Sequence, residues 1–160
     1  MDQTWLIRDL PFLTGTNRDL VKDWRRRGYF QPRDNRGNAI VGDGWQRFSF
    51  RDLLFLRVMT VLTEHDFPVS TATRIAERCM PWFGRLMKAD ASEGGVYALI
   101  RKSGGSDEHS FTFARGHDAL CTELQKSLLT DAGLPVITFV DLAEILLDLL
   151  RRVEEINREQ

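Results

Sequence analysis

The sequence predicts an α+β fold that is mainly helical, and three stretches predict it. Behind Ser49, the residues Leu53, Leu54, Leu56, Val58, Val61 and Leu62 form a strongly apolar helical run. VYALIRK (96–102) and SFTFAR (110–115) read as two strands joined by the turn Ser103-Gly104-Gly105-Ser106-Asp107. From Asp141 to the end, apolar residues recur at spacings of 4, 3, 4 and 3.

The composition suits one ordinary domain or a small domain with an appended module: 160 residues, 42% hydrophobic and 28% charged. No apolar run is long enough for a membrane span, and MDQTWLIRDL lacks the pattern of a secretion signal. Cys79 and Cys121 are isolated from one another, which fits a reducing cytoplasm and no disulfide framework. No CxxC or HxxxH spacing suggests a zinc site, and no cofactor is expected. Ser110 lacks nucleophile-elbow glycines, and His109 and His117 have no ligand-spaced partner, so no catalytic constellation is expected.

The net charge of −1 hides an asymmetry. Residues 18 to 51 hold nine Lys/Arg against four Asp, a local balance of +5, whereas residues 79 to 160 hold nine against thirteen, or −4. Local charge matters for nucleic acid because counterions are released at the contact face. A solvated surface would carry similar charge, so position has to decide between the readings.

In chain order, Leu6, Ile7, Leu10 and Leu13 have helical spacing, with Pro11 tolerable only in a first turn. Thr14-Gly15-Thr16-Asn17 is a turn in which glycine allows positive φ and Thr16 or Asn17 can cap the next helix. Leu20, Val21 and Trp24 then form an apolar stripe, and Gly28 ends the helix. Helix, turn and helix over this length make a helix-turn-helix. Tyr29-Phe30-Gln31 reads as a strand, Ala39-Ile40-Val41 as its return, and Trp45 to Phe48 as a further extended piece, which together form a wing. Ser49 with Asp52 makes a capping box for the apolar helix that ends near Glu64. Ser70 is expected to cap another helix that Pro81 stops or kinks, with Trp82, Phe83, Leu86 and Met87 in a shorter one.

Ala91 to Gly95 is the expected boundary, giving a DNA-binding domain over 1–90 and a small α/β module over 91–160. The module contains the hairpin, a helix from His117 to Leu129, a strand over Val136 to Val140 and a helix capped by Asp141. Leu142, Leu146, Leu149, Val153 and Ile156 form a heptad seam that points to homodimerisation; a buried helix packing on its own chain has the same spacing. Phe111, Phe113, Tyr97 and Ile100 suit either a sheet face or a ligand pocket, and no particular small-molecule effector is indicated.

TGTNRDLVKDWRRRGYF followed by GWQRFSFRDLLFLRVMTVLTEHDFPVSTATRIAE resembles the winged helix-turn-helix of the MerR family of transcription regulators. Gly15, Gly28, Gly44, Trp45, Phe48, Ser49, Asp52, Leu53, Phe67 and Ile75 fall where that family has like residues, over roughly Leu6 to Glu77. The chain departs from the pattern in three ways. Gln46 replaces the usual wing arginine, the wing is long, and a hairpin module precedes the last helix. The resemblance implies double-stranded DNA as partner, a homodimer and a cytoplasmic, nucleoid-associated protein. Arg18, Lys22 and Arg25 share a helix face that could enter the major groove, with Asn17 at its start. Arg26, Arg27, Arg33, Arg36 and Arg47 would hold the backbone. Asp19 and Asp23 oppose phosphate, and could read cytosine or pair with Lys22, Arg26 or Arg27. The alternatives are an excisionase-like or architectural DNA-bending factor, and a protein-interaction adaptor without DNA.

Overall fold

The computed structural model describes residues 3–33, 47–88, 95–102, 109–130 and 136–159. Among them the fold is α+β and mainly helical, with six helices and two small antiparallel sheets. The expected strand over Ala39–Val41, as well as Arg36, Gly44, Trp45 and Gln46, lies outside the described residues.

The chain divides into two compact units, Met1–Met80 with Ile145–Gln160, and Pro81–Glu144. This differs from a division at residue 90, because most of the last helix belongs to the first unit. Long-range polar contacts of that helix explain why. Asp148 pairs with Arg57 at 3.2 Å, Arg152 donates to the Phe12 carbonyl at 2.7 Å, and Gln3 donates to Asn157 at 2.7 Å.

In the first unit, strand β1 (Trp5–Leu6) pairs antiparallel with β2 (Arg47–Phe48), so that Trp5 faces Phe48 in register. Helix α1 (Leu10–Thr14) is short and carries Pro11 in its first turn, where the missing N–H costs nothing. Gly15 follows with φ +75, and Asn17 opens α2 (Arg18–Arg26). Tyr29–Gln31 form no strand, which corrects the sequence expectation. They continue the close of α2 instead: the Tyr29 N–H bonds the Trp24 carbonyl and the Gly28 N–H that of Arg25, with Gly28 at φ +78. That is a Schellman close, and only glycine takes its central conformation cheaply.

Helix α3 (Phe50–Glu64) is the hub of this core; Leu53, Leu54, Leu56, Val58, Met59 and Leu62 are buried. Such wide burial is why it shows no single apolar face. Helix α4 (Val69–Leu86) begins one residue ahead of Ser70 and runs through Pro81 without ending there. Glu77, whose carbonyl loses its helical donor to that proline, is exposed, so water can take the place of the bond.

In the second unit, β3 (Val96–Lys102) is the central strand of a sheet ordered β4-β3-β5, with β4 (His109–Arg115) and β5 (Val136–Asp141) both antiparallel to it. Helix α5 (His117–Thr130) covers the sheet face that carries Leu99 and Ala114, through Leu120, Ala119 and Leu124. On β4 the Trp82 ring lies 5.3 Å from that of Phe113, and Arg85 sits 4.7 Å over Trp82. Asp141 accepts from the Ala143 and Glu144 N–H groups and so caps α6 (Leu142–Glu159).

The heptad seam of α6 is not open to a second copy. Leu142, Leu146, Leu149 and Val153 are buried within the single chain and Ile156 is half-buried. A 4-3 spacing records one buried helix face, and here the chain itself buries it.

Candidate nucleic-acid interface

Two buried side chains, Val21 and Trp24, hold α2, each about 1% exposed. They lie on one side, so the cations between them turn outward: Arg18, Lys22 and Arg26 are exposed and Arg25 half-buried. Asn17 accepts the Asp19 N–H at 2.9 Å, so this expected DNA residue is engaged as the N-cap. Arg27, Arg33 and Arg47 are exposed.

The turn before α2 is built from threonines. The Thr16 N–H donates to Thr14 Oγ1 at 3.2 Å, and Thr14 Oγ1 donates to the Leu10 carbonyl at 2.9 Å. The Thr16 hydroxyl bonds that of Thr60, whose own proton goes to the Leu56 carbonyl at 2.8 Å. All three threonines are buried, so the turn is fixed to the middle of α3 by fully used hydroxyls. Guanidinium groups hold the end of α1 from outside: Arg57 donates to the Thr14 carbonyl at 3.3 Å and Arg152 to that of Phe12. Cations at these carbonyls also suit the negative end of a helix. Asp148 bridges the two arginines at 3.2 and 3.0 Å. A side chain at Gly15 would meet Arg57 Nη1 at 3.1 Å, in a conformation that already disfavours one.

The segments on either side of residues 34–46 are anchored with similar economy. The Phe30 ring stacks on those of Phe48 at 6.1 Å and Phe55 at 5.7 Å, and Trp5 lies 6.2 Å from Phe50. Asp52 completes the capping box with Ser49 and also accepts the Arg33 N–H at 3.1 Å. Burial pushes the Asp52 carboxyl above its ordinary range, against the opposing pull of the Ser49 and Arg33 donors. One carboxylate therefore starts α3 and positions Arg33. Arg33 and Arg51 share a polar cleft of about 340 Å³ with Gly28, Gln31 and Glu77. Arg51 is exposed in the first turn of α3 and was not among the expected site residues; its charge and its place just after the Ser49 cap are the signals that could have found it.

The acidic residues of α2 are paired. Lys22 meets Asp19 at 3.3 Å, while Asp23 meets Arg26 at 2.5 Å and Arg27 at 2.9 Å. Arg18 donates to the Arg8 carbonyl at 3.1 Å. These pairs are exposed and of the kind worth ~0–1 kcal/mol, so the cations can exchange partners at small cost.

Among the described residues, no group of three or more His, Cys, Asp or Glu side chains is placed to hold a metal ion, and no helix is long and apolar enough to cross a membrane. No protein-family model matches this chain, and no curated protein matches it.

Proposed function

We propose that this chain is a sequence-specific DNA-binding transcriptional regulator that acts as a homodimer, with a MerR-like winged helix-turn-helix in its first unit. One observation carries the reading: α2 is pinned on one side by Val21 and Trp24, and leaves Arg18, Lys22, Arg26 and Arg27 facing outward on a capped helix. A helix of nine residues, about 13.5 Å long, fits the major groove. Arg18 and Arg25 are the candidates for base contact, and Lys22 for phosphate. Arg33, Arg47 and Arg51 would grip the backbone from the wing base, with Arg36 beyond it. The homodimer rests on the general habit of helix-turn-helix proteins, since the α6 seam is occupied within the chain.

The test is a mobility-shift titration of the full chain at two salt concentrations, on DNA enriched from genomic fragments. Binding should weaken as salt rises, by a slope that reports the phosphates neutralised. Arg18→Ala should relax base preference by ~1–3 kcal/mol, and Arg33→Ala should weaken all sequences alike and lower the salt slope by about one. No binding at low salt, or binding indifferent to salt, overturns the reading. The pairing of Asp19 and Asp23 favours one competitor, a protein-docking adaptor; a pull-down partner retained after loss of the five cations Arg18, Lys22, Arg25, Arg26 and Arg27 would support it instead.

A further inference from the structure

We propose that the second unit carries a binding site for a small monoanionic carboxylate, with the Arg101 guanidinium as its anion-binding group. In the sheet register Leu99 and Arg101 alternate onto the face covered by α5; Ser110 and Ile137 stand opposite Arg101 on the neighbouring strands, and Thr112 opposite Leu99. These residues, with Glu123, Ser127 and the backbone of the β4 strand between Ser110 and Thr112, line a cavity of about 210 Å³.

Arg101 is held but not satisfied. Its Nη2 donates to Ser127 Oγ at 2.6 Å, and Ser127 is only 2% exposed, which fixes the plane of the fork. Its Nε–H is buried with no hydrogen-bond partner, and among the described residues no carboxylate pairs with this guanidinium. A permanent cation with no carboxylate partner is an anion-binding group, and a carboxylate in the cavity would meet the outer nitrogens of the fork in a charge-assisted contact. The cavity also sets the charge and size of the ligand. Glu123 lines it, paired with Lys126 at 2.7 Å, so a dianion such as phosphate would meet a carboxylate with one guanidinium to offset it. Leu99 and Ile137 give an apolar wall for a short hydrocarbon or aryl body, while Ser110 and Thr112 supply hydroxyls. The volume falls below the ~300–1,000 Å³ of drug-sized sites, so the ligand is a small acid. This inference stands apart from the DNA reading, since no residue of α2 or the wing enters it.

The experiment follows thermal unfolding and amide and side-chain NMR of the full chain with benzoate as probe, beside benzyl alcohol and inorganic phosphate. Benzoate should raise the unfolding midpoint saturably and shift the Arg101 Nε–H and the Ser110 and Ser127 signals; benzyl alcohol should not. Arg101→Lys keeps the charge but loses the fork, and should weaken benzoate by roughly tenfold or more. Arg101→Gln should abolish the response. The NMR shifts on the wild-type chain decide the matter if a variant fails to fold. No benzoate shift at Arg101, equal effects of phosphate and benzoate, or an unchanged response in Arg101→Lys would overturn the proposal.

Discussion

In the first unit Arg18 and Arg26 of α2, with Arg27, Arg33 and Arg47, are all exposed. In the second unit Arg101 turns inward, beneath α5, with its Nε buried. Both arrangements leave cationic donors for an anion, but the anion differs in kind. Exposed cations in weak pairs can trade a carboxylate for a phosphate at little cost, so they suit a long polyanion that touches many at once. A half-buried guanidinium fixed beneath a helix offers geometry rather than net charge, so it suits one small anion. The comparison separates affinity built from many exchangeable contacts from affinity built on one fixed contact.

The largest test of the outward half lies beneath the charges. Trp24 is among the largest fully buried side chains, and it alone with Val21 holds α2 among that helix's buried residues. Trp24→Ala should destabilise the first unit by ~3–5 kcal/mol, measured by urea unfolding, and should remove DNA binding while leaving all the α2 cations in the sequence. A loss below ~1 kcal/mol would mean that α2 is not fixed by this anchor, and the contrast with Arg101 would fail.

The capping box is a smaller lever on the same side. Ser49→Ala removes the acceptor of the Asp52 N–H and should cost ~0.5–2 kcal/mol. Asp52 adds a pH dependence whose sign is fixed by its raised carboxyl value. The folded chain holds this proton more tightly than the unfolded chain, so its contribution is full below the ordinary carboxylate range near ~4 and falls as pH rises through the raised value. Asp52→Asn should flatten that part of the stability-against-pH curve in a comparison of urea midpoints. It should also loosen Arg33, whose N–H is held by Asp52; a steeper curve in the variant would reverse the assignment.

Local signals in the sequence carried much of this fold. Ser49 with Asp52 marks a helix start by chemistry within four residues, Gly28 marks an end, and Pro11 can sit only in a first turn. β3 and β4 were legible as two short runs joined by a turn, and β5 as a short β-branched run. What stayed hidden depends on distant partners. Trp5 pairs with Phe48 across the whole of α1 and α2, which no local period encodes. Tyr29–Gln31 have strand-like side chains, yet Phe30 is used as a plug between Phe48 and Phe55. Pro81 stays inside α4 at a point where Glu77, four residues before it, is exposed. The α6 heptads could not say whose surface buries them, and the inward turn of Arg101 appears only when α5 is laid on the sheet. The outward cations of α2 were legible, because the apolar stripe of Val21 and Trp24 fixes their side; their pairing with Asp19 and Asp23 was one of two open readings.

The smallest effect tests whether the outward cations are as exchangeable as their exposure implies. Asp23 holds Arg26 at 2.5 Å and Arg27 at 2.9 Å, with both arginines well exposed. Asp23→Ala frees two guanidinium groups and removes a negative charge from the face of α2. Because such pairs are worth ~0–1 kcal/mol, unfolding stability should change by less than that. DNA affinity should rise, most at low salt, because phosphate no longer competes with a carboxylate, and the slope of affinity against salt should steepen. If stability instead falls well beyond that range, the pairs hold α2 together rather than sit on it. If affinity falls while stability holds, Asp23 itself touches a base, and the helix reads sequence through an acid as well as through its arginines.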